Sequence, residues 1–202
     1  GKYIVPGYIE GFGVLRNQAF ANAYLAMGVT GLVGVGDANW RRGAMFYDAD
    51  PSPFVYRLDA LGLAANPAEG SGQGANAYPT GAPEVLVKVV ERYHERGVRV
   101  VLLLYQLDPR TLRAVVKRCQ ELGIATIGEL GATPIGDAIA AGVQSFVHTS
   151  RYSFDVVADD ELRSAYAATP FALDPAGPVR SAMRRLREVR ADDPRLSAHA
   201  AR

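Results

Sequence analysis

The chain has 202 residues, 49% of them hydrophobic and 21% charged, and its 22 basic and 21 acidic side chains leave a net charge of +1. That balance suits one packed domain, excludes wholesale disorder, and advertises neither nucleic acid nor an anionic membrane as a partner. The single cysteine, Cys119, excludes an internal disulfide and a paired-cysteine metal site.

No apolar run reaches the roughly 18 residues needed to span a bilayer. No signal peptide leads the chain, and Gly1-Lys2 opens almost directly onto a strand, as in a piece of a longer protein. The front of such a piece does not report the compartment, and a cytoplasmic setting is no more than an expectation.

Tyr3, Ile4 and Val5 are apolar, partly β-branched and bounded by Pro6-Gly7, which predicts a short buried strand. Residues 16–27 predict a helix, with Phe20, Tyr24 and Met27 three and four apart and Gly28 as its terminator. Residues 29–35 read as a second strand with Asp37 at its far end, and residues 54–63 as a weaker third. Residues 66–80, rich in glycine and proline, form a loop. Its glycines lack the lysine and the following helix of a phosphate cradle.

From Pro83 the punctuation is regular. A helix over 83–96 ends at Gly97, and the continuous apolar run 98–105 predicts a strand buried on both faces. Asp108-Pro109 supplies an N-cap and a first-turn proline for a helix to Leu122, closed by Gly123. Residues 124–130 are the next strand, Thr133-Pro134 repeats the cap-plus-proline start, a short helix ends near Gly142, and residues 143–149 are another strand. Helices are predicted at 159–167 and 178–190, separated by Thr169-Pro170, and the tail 191–202 reads as another helix or a frayed end. The arginines of the second of these helices lack the interleaved aromatics of a nucleic-acid surface and read as a solvated face. Cys119 falls within a helix, as a buried inert thiol does.

Strands and helices thus alternate six times, the signature of a parallel α/β sheet with right-handed crossovers. No Gly-x-Gly-x-x-Gly follows the first strand, so a (β/α) barrel is preferred to a dinucleotide-binding sheet. A full barrel has about eight units.

The segment Gly1-Lys2-Tyr3-Ile4-Val5-Pro6-Gly7-Tyr8-Ile9-Glu10-Gly11 resembles the start of the metal-dependent amidohydrolase superfamily barrel, typically Gly-Lys-x-x-x-Pro-Gly-x-Ile-Asp-x-His-x-His. Ala26-Met27-Gly28-Val29-Thr30, Leu107-Asp108-Pro109, Ala132-Thr133 and the run from Asp137 to Thr149 are similar as well, so the resemblance covers roughly residues 1–150. It implies an α/β, TIM-like barrel of the amidohydrolase type, incomplete at about six βα units. Residues 1–152 would form the partial barrel and residues 153–202 a helical C-terminal part of the same domain.

The resemblance also implies hydrolysis of C–N and related bonds by a metal-bound water at the carboxyl mouth of the barrel. Carried over residue by residue, the two strand-one histidine positions are Phe12 and Val14, no bridging lysine occurs in 98–105, the strand-five position is Glu129, and the strand-six histidine is His148. A binuclear zinc site cannot be built from such residues. Glu129 and His148 are candidates for two positions on a metal and Asp37 for a third. No cofactor is otherwise expected, and a divalent metal such as zinc enters only if the family chemistry persists.

The residues placed at the mouth include Phe12, Arg16, Asp37, Gln106, Glu129, His148, Arg151 and Tyr152. Glu129 and His148, from neighbouring strands, suit a carboxylate–imidazole general base, and Asp37, at the end of the second strand, is a further catalytic candidate. Phe12, Arg16, Gln106, Arg151 and Tyr152 suit contacts to a small molecule. The expectation is an amidohydrolase-like hydrolase of a small amide or cyclic amide with a degenerate or metal-independent site. The alternative is an inactive homologue that binds a ligand or a partner. Its partners would be a small molecule, not nucleic acid or membrane, with the rest of the chain or a second copy completing the barrel.

Overall fold

A computed structural model describes residues 2–13, 18–35, 56–63, 83–95, 97–104, 106–148, 155–168 and 178–201. Its strands are β1 (Tyr8–Gly13), β2 (Val29–Val35), β3 (Tyr56–Leu63), β4 (Val100–Leu103), β5 (Ala125–Gly128) and β6 (Ser145–Phe146). Its helices are α1 (Gln18–Ala26), α2 (Pro83–Glu95), α3 (Pro109–Glu121), α4 (Ile135–Ala141), α5 (Asp160–Ala168), α6 (Pro178–Arg187) and α7 (Pro194–Ala200). None of these described helices is long and apolar enough to cross a membrane.

The six strands form one parallel sheet in sequential order, β1-β2-β3-β4-β5-β6. The class is therefore α/β, but the expected barrel is not there. Among the described residues no pairing joins β6 back to β1, so the described sheet is open, with β1 and β6 as its end strands. A barrel closes only when strand number and stagger bring the last strand beside the first. Here β6 contributes two residues, Ser145 and Phe146, and β1 leaves Tyr8 and Ile9 exposed, with a register shift between them.

The first strand also begins later than its apolar pattern suggests. Tyr3, Ile4 and Val5 lie outside any strand, and pairing with β2 starts at Tyr8, whose N–H donates to the carbonyl of Gly28 at 2.9 Å. Pro6 has no N–H to give a ladder. Gly7 lies so close to Thr30 that a β-carbon there would meet its side chain.

The middle of the sheet is the core. On β4, Val101 and Leu103 face one side and pack with Leu86, Val89 and Val90 of α2 and Leu112, Val115, Val116 and Cys119 of α3. Val100, Leu102 and Leu104 face the other side with Ile127, Val33 and Val147. Both faces are buried, which is why the run reads as continuously apolar and not as alternating. The expected helix terminators hold: Gly28, Gly97, Gly123 and Gly142 all adopt positive φ, between 68° and 93°.

Asp108 caps α3, its carboxylate accepting from the N–H groups of Arg110 (2.9 Å) and Thr111 (3.1 Å) and from the Thr111 hydroxyl (2.6 Å). Asp159 caps α5 through Leu162 N–H, and Asp193 caps α7 through Arg195 N–H. The start of α4 departs from expectation. Thr133 does not cap it; its hydroxyl donates to the carbonyl of Leu107 at 2.6 Å. Asp155 accepts from Ile135 N–H at 3.3 Å instead. The C-terminal helices pack through Val156, Val157, Leu162 and Ala182 against Ala132, in the segment that follows β5.

Candidate functional site

The ladder of the sheet carries past the ends of β5 and β6. Glu129 N–H donates to Leu103 O at 2.8 Å, and Val147 N–H donates to Gly128 O at 3.0 Å. Glu129 and His148 therefore follow the carboxyl ends of two adjacent parallel strands, the edge where α/β sheets place their sites. The pairing of β5 with β6 is reinforced by side chains. Thr126 N–H donates to Gln144 Oε1 (3.1 Å) and Gln144 N–H to Thr126 Oγ1 (3.3 Å).

His148 Nε2 lies 3.6 Å from Glu129 Oε2. This is ion-pair range, slightly longer than a direct hydrogen bond. The Glu129 side chain is 13% exposed and that of His148 is 43% exposed, so the carboxylate sits inward of a solvent-facing imidazole. His148 is also the one described non-glycine residue with positive φ, at 60°. A histidine held there is uncommon, and such strain gathers at ligand and catalytic sites.

The segment after Glu129 is clamped from two directions. Arg163 Nη1 donates to Gly131 O at 3.2 Å, and its Nη2 pairs with Asp155 Oδ1 at 2.7 Å. The Asp155 side chain is 3% exposed and that of Arg163 17%, and the same Asp155 oxygen caps α4. With the Thr133–Leu107 hydrogen bond, this network fixes the chain between β5 and α4. Sequence reasoning missed it, because nothing local relates Asp155 to a helix start twenty residues earlier.

Of the sequence-derived candidates, the structure brings Glu129 and His148 into contact. Phe12 lies on β1, within the strand and not beyond its end. Four strand spacings separate β1 from β5, roughly 19 Å along the sheet at about 4.8 Å each. Gln106 sits in the turn between β4 and α3 and is only 1% exposed, so it is enclosed and does not line an open surface. Asp37, Arg16, Arg151 and Tyr152, and with them Val14, lie outside the described residues.

A binuclear metal centre of the amidohydrolase kind does not fit this donor set. Phe12 has no lone pair to offer, and no three His, Cys, Asp or Glu side chains converge among the described residues. Glu129 and His148 supply two donors where a catalytic zinc site takes three from the protein. Cys119 is no substitute nucleophile, because burial pushes its thiol up to about 12. No protein-family model matches the chain, and no curated protein matches it either.

Proposed function

We propose that the carboxyl edge of β5 and β6 carries a small-molecule site in which Glu129 and His148 act as a general base for hydrolysis of a C–N bond, without a metal. The neutral imidazole of His148 takes a proton from a water attacking the carbonyl carbon of an amide or cyclic amide. The Glu129 carboxylate stabilises the imidazolium that forms. The proton passes to the departing nitrogen as the C–N bond breaks, leaving a carboxylic acid and an amine. The observation that carries this reading is the 3.6 Å contact between Glu129 and His148 at adjacent strand ends. The choice of C–N bonds rests on the amidohydrolase resemblance of the segments quoted above.

The test is amine release from a panel of small amides, cyclic amides and ureas, with and without chelator. Turnover should survive the chelator. It should fall by about 10²–10⁴-fold, the usual worth of a general base, in Glu129→Gln and in His148→Ala, with far-ultraviolet circular dichroism unchanged. Equal rates in the variants, or loss of all activity in chelator, overturn the proposal. A second reading is a ligand-binding homologue without turnover, favoured by Phe12 standing where the family places a metal donor. Binding of a panel member by calorimetry with no product formed would support it.

A further inference from the structure

We propose that the C-terminal helices hold a second small-molecule site, one that takes a free apolar amino acid as its zwitterion. A cavity of about 510 Å³ lies between the segment that enters α5, the end of α6 and the start of α7. That volume is in the range of small-molecule sites. Val156, Val157 and Val189 give it an apolar wall, which belongs to the cluster that packs these helices against Ala132. Asp159, Arg185, Glu188 and Arg195 supply its charges, two of each sign, so the lining as a whole is neutral. None of these residues belongs to the pair at the carboxyl edge of β5 and β6.

The hydrogen bonds show which of those charges are open to a ligand. Asp159 is spent: one carboxylate oxygen accepts from Leu162 N–H and the other from Arg185 Nη1. Arg195 gives Nε and Nη2 to Asp193, outside the cavity, which fixes its direction. A guanidinium carries five N–H donors, so Arg185 and Arg195 each keep donors after these bonds are made. A planar fork already held in place loses little freedom on meeting a carboxylate. Glu188 differs, because its carboxylate has no hydrogen-bond or ion-pair partner among the described residues. The open groups are therefore guanidinium donors from two helices and one accepting carboxylate, beside a wall of valines. A ligand that meets all three has a carboxylate, an ammonium group and an apolar side chain. That is the chemistry of free valine, leucine or isoleucine. A simple anion would leave Glu188 unmet, and a simple amine would leave the arginines unmet.

Titration of the 202-residue chain with leucine, isocaproate and isoamylamine, followed by amide NMR, tests this. The three share one apolar group and differ in their charges, and none contains an amide bond, so the result is independent of any hydrolysis at Glu129 and His148. Leucine should give saturable shifts at the residues that line the cavity. Isocaproate, without the ammonium group, and isoamylamine, without the carboxylate, should each bind about three- to tenfold more weakly. Glu188→Gln, at an exposed side chain with no contact to lose, should weaken leucine by the same factor and leave isocaproate no weaker. Arg195→Gln keeps the backbone N–H that Asp193 uses to cap α7, and it should weaken leucine and isocaproate but not isoamylamine. Shifts that do not saturate or that lie away from the cavity, equal affinity for all three compounds, or leucine binding indifferent to Glu188→Gln overturns the proposal.

Discussion

Replacing His148 by glycine and by alanine separates the strain of its backbone from the chemistry of its side chain. Both variants remove the imidazole and with it the contact to Glu129, which is worth at most about 1 kcal/mol for a side chain so exposed. The variants differ in how they tolerate φ at 60°. An L-residue in the left-handed region bears roughly 1–2 kcal/mol that glycine does not. Glycine gives back about 0.5–1 kcal/mol through its greater freedom when unfolded. His148→Gly should therefore be the more stable of the two, by up to about 1.5 kcal/mol. For a chain of this size that is a difference of up to roughly 6 °C in Tm. Thermal unfolding followed by circular dichroism, with urea midpoints as a check, measures it. An alanine variant as stable as the glycine variant, or more so, would refute the strain and remove one support for the site.

Cys119 is fully buried and its thiol is pushed up to about 12, so it should resist iodoacetamide in the native protein at pH 8 and react readily in denaturant; fast native labelling would show that the α2–α3 core opens easily. Asp108→Ala should lower stability by about 0.5–2 kcal/mol through loss of the α3 cap, read from urea midpoints. Burial alone would raise the Asp108 carboxyl, but hydrogen bonds from the Thr111 hydroxyl and from the N–H groups of Thr111 and Arg110 hold it below the usual 3.8. Because its pKa is lower folded than unfolded, the carboxylate's contribution is complete above the unfolded value and is lost as pH falls through the folded one. The gap between wild type and Asp108→Ala should thus narrow below about pH 4 and hold constant from pH 6 to 8. A gap that widens in acid would contradict the cap.

The elements governed by local chemistry were legible in the sequence. Asp108-Pro109 and Gly123 bracket α3 because capping and left-handed closure act within a few residues. The run through β4 reads as buried because each of its faces meets a different apolar layer. Glu129 and His148 were legible for a related reason: each lies at the carboxyl end of a predicted strand, and adjacent parallel strands bring such positions together. What distance decides was not legible. The start of β1 depends on the fit of Gly7 against Thr30 and on a proline that cannot enter a ladder. The cap of α4 comes from Asp155, not from the adjacent Thr133. Closure of the sheet depends on whether a strand stands between β6 and β1, which no local pattern reports. With the barrel gone, Phe12 has no reason to share a mouth with His148.

The claim that Glu129 and His148 work as one unit is tested most directly by a double-mutant cycle on turnover of the best substrate in the panel. Glu129→Gln, His148→Ala and the combined variant are compared by kcat/KM. If the carboxylate acts through the imidazole, the combined variant is no slower than the slower single variant, because either change alone disables the pair. Losses that multiply in the combined variant would mean that the two residues act independently, and would contradict the account.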